Sequence, residues 1–597
     1  MNPERIVIRP ARLPGTRELA LPAPSPALRA VVVVPARDEA ERITTCLRAL
    51  AAQTAIAHAA YEVIVVLDGC RDSTTEHVRD LVDEVPSLVL GAIEFAEPQG
   101  VGRARRAGMD LACERLLALG RPDGLIATTD ADSVVAEDWL SVQLGLVARG
   151  ARAIGGDIQL LEGESRQLPA AVLDERTDRA RERMAAVVAD LSAADAVLAE
   201  HHHFAGASLA LTAGTYRDCG GLPECVALED DALAHELRLR SIPIHRSRAV
   251  RVRTSARTAG RAPRGLAHDL ASGAWRARRS YTADEFPLER LLAAKHSSIA
   301  LVLPSREVAQ TIGPIAGAAA GMRESGLLDE VLVVDAASRD GTAKIAANAG
   351  LTVVQEDDLA SGLGPARGKG DAMWRALRVV QSDIVVFADT DSEDFVPGFI
   401  TGLLGPLICE PGVWLVKGAF RRPFRAHDTV LDTGGGRVTE LLARPLLNLY
   451  APELAVFDQP LAGEIAARRT LLDQIPFSAG YGVEIAMLID AWRIVGLDGL
   501  AQVDLGTRQN RHQPLRELSA MAYEVLVAAQ SRLLAPALAG SAPTTISLPA
   551  LAPGQAMETR HVSIEERPPI GRRTSGQASP IAEARRDRSL SSAARAS

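Results

Sequence analysis

Residues 383–394 read DIVVFADTDSED, and residues 124–135 read GLIATTDADSVV. Each is a short apolar run of strand length that ends by presenting two aspartates one residue apart, Asp389 and Asp391 in one case and Asp130 and Asp132 in the other. A single Asp-x-Asp reads as a turn, because turns favour Asp for its local hydrogen bonds. Two such endings in one chain read as a repeated device, and the flanking sequence shows what is repeated.

Upstream of the first pair, RAVVVVPARDEAERI (29–43) and YEVIVVLDGCRDST (61–74) are continuous apolar runs, each followed by a turn and a helical pattern. Runs of this kind suit strands buried on both faces, and the alternation of strand and helix predicts an α/β fold with a mainly parallel sheet. The programme restarts near residue 296. SSIALVLPSREVAQTI (297–312) matches the first run, pairing Pro35 with Pro304 and Glu39 with Glu307, and DEVLVVDAASRDGTA (329–343) sets Asp335 where Asp68 stood. Order is kept while loop lengths drift, which is a duplicated domain rather than a short-period array. The expected division is an irregular leader over 1–27, one domain over 28–285, a second over 295–538, and a mostly disordered tail over 540–597, polar and without period.

The 597 residues are too many for one core. With 47% hydrophobic and 24% charged residues and a net charge of −9, the composition is that of a globular protein and gives no footprint for nucleic acid or an anionic membrane. No run is long enough for a membrane span, and the first residues lack the apolar stretch of a signal peptide. The six cysteines include no C-x-x-C, so free thiols and a cytoplasmic location are expected.

In an open parallel sheet, ligands bind beyond the carboxyl ends of the strands, where both Asp-x-Asp pairs are expected. Two carboxylates so close repel unless a cation lies between them. Mg²⁺ or Mn²⁺ prefers oxygen ligands, bridges to a diphosphate and stabilises it as a leaving group.

The motifs together resemble two glycosyltransferases of the GT-A fold in tandem. The first half, through VVPARDEA, VVLDGCRDST, GVGRARRAG, TTDADS and LEDDALAHEL, is similar to glycosyltransferase family 2. The second, through VLPSREVAQTI, GKGDAMWRAL, VVFADTDSEDF, LVKGAFRRP, GGGRVTELLARPLL, QPLAGEIAARR and PFSAGYGVEI, resembles the glucosyl-3-phosphoglycerate synthases, and ERPP (566–569) extends the match. That resemblance implies transfer of glucose from UDP-glucose to 3-phosphoglycerate with retention. It implies Pro304, Glu307, Ser338, Lys369, Asp389 and Leu461 on the donor, Asp391 on the metal, and Glu484 on the donor sugar. Lys369 also stands at a glycine-flanked helix start, a ready anion site. Gly436, Arg437 and Thr439 combine a glycine nest, a guanidinium and a hydroxyl, which suits a small anionic acceptor. The following helix is expected to bury Val438, Leu441, Leu442, Leu446 and Leu449.

One departure stands in RQNRHQP (508–514). Asn510 occupies the place of the family's metal-binding His, and His512 the place of its Asn. Either His512 reaches the metal with Asn510 on the acceptor, or Asn510 is a weak ligand and His512 turns to the acceptor. The first is preferred here. For the first half, Pro35, Glu39, Asp68 and Asp130 are expected on a donor, Asp132 on a metal, and Asp230, in the E-D of an inverting enzyme, as general base. His201, His202 and His203 are expected to be loop residues near an acceptor, not one metal cluster. The alternatives are a first half that is a nucleotide-sugar-binding module or the surface of a homodimer, and a second half that transfers mannose or a nucleotidyl group.

Overall fold

The computed structural model describes residues 17–18, 21–85, 88–191, 193–223, 228–260, 264–359, 361–426, 429–431, 435–508, 514–534, 542–548 and 558–571. It divides into two compact units, Met1–Ala274 and Trp275–Ser597.

Each unit is built on one mixed, mostly parallel sheet, a nine-stranded one in the first and an eight-stranded one in the second. In the first unit the central order is Val89–Phe95, Tyr61–Asp68, Ala30–Ala36, Leu125–Thr128, Leu209–Thr212, Ala153–Leu160 and Ile244–Thr254. In the second it is Thr352–Gln355, Glu330–Asp335, Ile299–Ser305, Ile384–Phe387, Ile465–Arg468, Leu415–Arg421 and Leu500–Thr507. The two orders coincide position by position. In both, the strand leading to Asp-x-Asp runs parallel to the first strand and antiparallel to its other neighbour. The α/β reading is borne out, and the duplication shows as one strand order used twice.

The continuous apolar runs form central strands because both faces are covered. Along Ala30–Ala36 every residue is buried. Val32 and Val34 pack into one core and Val31 and Val33 into another, so the two-residue period divides one valine run between two layers. Ile299–Ser305 does the same, with Leu301 and Leu303 on one face and Ala300 and Val302 on the other.

Several boundaries differ from the expectation. Ser280–Thr282, assigned with the first domain, pairs in parallel with Leu500–Thr507 in the second unit's sheet. Arg17–Glu18, assigned to an irregular leader, pairs antiparallel with Val89–Phe95. Of the tail, residues 542–548 and 558–571 are described, and these are ordered in pairs. Among its described residues, Thr545–Leu548 pairs with Glu558–His561, and Glu566–Arg567 pairs with Phe477–Ser478. Arg567 forks onto buried Asp371 at 2.7 and 2.8 Å, and the Trp374 indole donates to the Pro568 carbonyl at 2.8 Å. A polar segment without period is held here by charge pairing onto a neighbouring core, which composition does not display.

Lys417, on the strand Leu415–Arg421, is 1% exposed and donates to the Ala462 carbonyl at 2.9 Å. Burial pushes its ammonium down to about 7, against the opposing pull of Glu484. Between that value and the free-lysine range near 10.4 the unfolded chain holds a proton that the folded chain lacks, so stability should rise with pH through this window. Lys417→Met should flatten that rise and raise the melting temperature at pH 7 and below. A thermal scan of the two proteins from pH 6 to 10 reads both effects, and an unchanged slope would contradict the assignment.

Candidate active site

A cavity of about 690 Å³ opens in the second unit beyond the Asp-x-Asp strand. Pro304, Lys369, Asp389, Asp391, Gly436, Arg437, Thr439, Leu461 and Glu484 all line it. Lys369 opens the helix Lys369–Leu377 after Gly368, whose φ of 131° is open only to glycine. Its ammonium reaches Asp389 at 2.5 Å and Glu484 at 2.7 Å, joining the end of the strand Ile384–Phe387 to the first turn of the helix Val483–Val495. Burial alone would push the Asp389 carboxyl up. Lys369, then Arg508, more than reverse this and leave it at about 2. The same two acids hold the Lys369 ammonium above its usual range despite burial. Asp389 is therefore an anion at any working pH, and Lys369 a cation.

Glu307 and Ser338 do not line the cavity. They brace the loop beside it, the Glu307 backbone N–H donating to the Ser338 hydroxyl at 2.9 Å and the Glu307 carboxylate accepting from the Arg339 N–H at 2.9 Å. Asn510 and His512 lie outside the described residues. Past Arg437 the chain takes a π-helical turn over Thr439–Ala443 before Arg444–Tyr450. The wider turn shifts the face on which later residues fall. Val438 is buried and Leu442 and Leu446 pack on the core, but Leu441 and Leu449 are 75% and 60% exposed, against expectation.

Residues with no role assigned from sequence complete the lining. Arg422 and Arg508 face the two aspartates, with Arg508 in a fully buried ion pair with Glu464. Arg422 lay inside the LVKGAFRRP stretch that carried the resemblance, so the motif held the signal without the role. Ser563 of the tail also lines the cavity and donates its N–H to Glu524, whose other oxygen accepts from the Tyr481 N–H at 2.6 Å.

In the first unit, Asp130 and Asp132 again follow the matching strand. Arg105 pairs with Asp130 at 2.5 Å and with Glu229, while Arg257 reaches Asp132 at 2.9 Å and forks onto Glu39 at 2.6 and 2.9 Å. Burial raises the Asp130 carboxyl, and with Arg105 opposing and Asp132 adding it stands at about 6. Asp230, half-buried, accepts from the Gly206 and Asp231 N–H groups at 3.1 and 3.0 Å. Asp68 accepts from the N–H groups of Gln99 and Gly100 at 2.6 and 2.9 Å, fixing the turn into the helix Val101–Ala118.

The pairing of Glu39 with Glu307 is corrected. Asp38 and Glu307 share a left-handed φ, 51° and 52°, and each accepts from the backbone N–H of an arginine, Arg71 and Arg339. Glu39 instead stands where Val308 does, each donating its N–H to a threonine hydroxyl, Thr74 and Thr342. Pro35 holds the same strand position as Pro304.

Gly206 and Gly463 are matched as well. A Cβ at Gly206 would overlap the Arg105 guanidinium, and one at Gly463 would overlap the Asp389 carboxylate. Each site needs the bare glycine to admit its charged pair.

The histidines divide. His201 and His203 do converge, with Asp157, so that one ligand atom of each lies within 4.8 Å of the others. His203 holds the Asp157 carboxyl at about 2, and burial and His203 push the His201 imidazole down to about 4. An ionised carboxylate and a neutral imidazole are metal-ligand chemistry. The backbone N–H groups of Ile158 and His203, however, already donate to Nδ1 of His203 and His201 at 3.2 and 3.1 Å. A cavity of about 460 Å³ beside them is lined by Arg176, Arg179, Arg183, His202 and His203.

No helix among the described residues is long and apolar enough to cross a membrane. The family model for glycosyl transferase family 2 matches residues 31–188 and 307–419. A glucosyl-3-phosphoglycerate synthase of Mycolicibacterium paratuberculosis is 41% identical over 313 residues, covering 51% of this chain and 94% of the relative. That of Petrotoga mobilis is 42% identical over 248 residues, covering 41% and 76%. Among solved structures, mannosyl-3-phosphoglycerate synthase from Rubrobacter xylanophilus is 45% identical, with 50% of this chain and 97% of that one covered at a TM-score of 0.45. Glucosyl-3-phosphoglycerate synthase from Mycobacterium tuberculosis, in complex with Mn²⁺, UDP and glucosyl-3-phosphoglycerate, is 38% identical with 48% and 95% covered at 0.42. The chain belongs to the family-2 glycosyltransferases as a nucleotide-sugar-dependent enzyme, related over about half its length to the glucosyl-3-phosphoglycerate synthases.

Proposed function

We propose that the second unit transfers glucose from UDP-glucose to 3-phosphoglycerate with retention of the anomeric configuration. The observation that carries this reading is the single cavity shared by the strand-end acids, Lys369, Glu484 and the Gly436–Arg437–Thr439 turn, in a chain that over about half its length is 41% identical to a glucosyl-3-phosphoglycerate synthase. Asp389, held ionised, and Asp391 form an all-oxygen donor set at the cavity wall, which suits Mg²⁺ or Mn²⁺. Bound there, such an ion supplies charge stabilisation of the departing diphosphate.

The chain's own residues do the rest. Lys369 adds a second cation on the diphosphate side and holds Glu484 in place for the hydroxyls of the donor sugar. Arg437 and Thr439 orient the phosphate and carboxylate of the acceptor, leaving its hydroxyl to attack from the face that UDP vacates. A diphosphate oxygen takes the hydroxyl proton, so no opposite-face base is required. In the first unit Asp230 is the candidate base of a separate, inverting transfer, with its backbone hydrogen bonds fixing the carboxylate.

Purified chain given UDP-glucose, 3-phosphoglycerate and Mg²⁺ should release UDP, with Asp391→Ala at background. Repeating the assay with mannose donors settles the sugar. No UDP from wild type, or equal release by the variant, would refute the reading, and release of diphosphate would make the enzyme a nucleotidyltransferase. Asp230→Asn should leave this reaction intact.

A further inference from the structure

Arg422 follows the strand Leu415–Arg421 and lines the cavity of the second unit, within the field of the strand-end acids and against the Gly436–Thr439 turn. The turn is pressed onto it. The Gly435 N–H donates to the Arg422 carbonyl at 3.1 Å, and a Cβ at Gly435 would overlap the Arg422 backbone and Cβ. A Cβ at Gly436 would lie 3.6 Å from the Arg422 Cδ. Two residues without side chains therefore let the arginine stem lie along the turn, with its guanidinium 5.0 Å from the Phe420 ring centre.

Among the described residues that guanidinium makes no hydrogen bond and no ion pair, and its Nε is buried without an acceptor. Burial pulls it below the usual arginine range, and Asp389, then Asp391 and Glu484, oppose this without reversing it. Arg508, against the same Phe420 ring at 5.4 Å, is instead committed to Glu464. The acids that Arg422 faces are engaged elsewhere, since Lys369 joins Asp389 to Glu484 and the Asp389–Asp391 pair suits a divalent ion. A half-buried guanidinium whose donors go unanswered is costly, and an arriving anion offsets that cost.

We propose that Arg422 binds the carboxylate of the acceptor and thereby selects a hydroxy acid over an alcohol. The proposal rests on reading 3-phosphoglycerate as the acceptor of the second unit. In that molecule the carboxylate is attached to the carbon that bears the attacking hydroxyl, while the phosphate hangs from the next carbon. The hydroxyl must meet the donor beside the acids, so the carboxylate comes to rest nearer to them than the phosphate does. Arg422 stands in the field of those acids and suits the carboxylate, which leaves the phosphate to Arg437 and Thr439. Its planar fork of donors matches two carboxylate oxygens.

The test is calorimetry on the full-length chain at saturating UDP and Mg²⁺ with two ligands. One is 3-phosphoglycerate, and the other is the glycerol phosphate of the same configuration, with a hydroxymethyl group in place of the carboxylate. Wild type should prefer 3-phosphoglycerate by about tenfold to a hundredfold. Arg422→Gln should abolish that preference by weakening 3-phosphoglycerate alone. Arg422→Lys, which keeps the charge but not the fork, should retain part of it. An equal loss for both ligands would put Arg422 on the shared phosphate or in the frame of the turn and overturn the proposal, as would an unchanged preference in Arg422→Gln. Equal binding of both ligands by wild type would overturn it too, while leaving a phosphorylated acceptor standing. A wild type that binds neither would strike the acceptor reading itself and the proposal with it. The preference is a ratio within each variant, so lost stability does not imitate it, and Arg422→Lys supplies the ratio if Arg422→Gln does not fold.

Discussion

Replacing Lys369 with alanine should lower kcat/KM for UDP release by roughly a hundredfold to a thousandfold. Lys369 lies 2.5 Å from Asp389 and 2.7 Å from Glu484, and all three are largely shielded from water. Removing one partner from a buried charged group costs about 3–5 kcal/mol, because the remaining charge loses its compensation. Here two acids would be left facing each other. One of them would take up a proton, so the variant should also show an activity loss that deepens as pH falls, where the wild type is flat. Lys369→Arg keeps the charge and should recover part of the rate. A Lys369→Ala enzyme within threefold of wild type would show that the ammonium neither orders the acids nor meets the donor.

The second large effect concerns Arg508 and Glu464. Both are 1% exposed, they form an ion pair, and the Arg508 guanidinium lies 5.4 Å from the Phe420 ring centre and 5.8 Å from that of Phe399. Arg508→Met should destabilise the chain by about 3–5 kcal/mol by stranding the Glu464 carboxylate among apolar neighbours. Adding Glu464→Leu should restore most of that loss, since an apolar pair can replace a buried ion pair at little cost. Activity should not return with stability. Arg508 also helps to hold the Asp389 carboxyl at about 2, and the double variant lacks that field. Urea midpoints for the two variants beside their UDP-release rates separate the effects. Full activity in a stable double variant would confine Arg508 to a structural role.

These expectations turn on residues that carry very different amounts of information in the sequence. The valine runs and the two Asp-x-Asp endings announced the sheets, because a strand buried on both faces must be apolar throughout and a strand end that binds ligands must break that rule abruptly. Lys369 and the Gly436–Thr439 turn carry local signals, a cation at a glycine-flanked helix start and a glycine nest beside a guanidinium, whereas the role of Glu484 came only from the resemblance to a known family. The match of Glu39 to Glu307 failed on one residue of register. An acid at either position looks the same in sequence, and the two are separated by the shared left-handed φ of Asp38 and Glu307 and by the arginine N–H that each accepts.

By itself, then, the sequence determined two α/β units of one plan, the strand ends at which each presents its acids, and the helix start that answers them in the second. The tertiary structure alone decided how those acids are neutralised. Arg105 and Glu229 are 124 residues apart and Arg257 and Glu39 are 218 apart, so no window along the chain shows either pair. The same holds for Arg567, which reaches Asp371 across 196 residues and ties a tail of unremarkable composition to the second unit. Periodicity and turn chemistry act between near neighbours and are written in order. Charge pairing acts through space, and becomes visible only when folding has chosen which distant side chains meet.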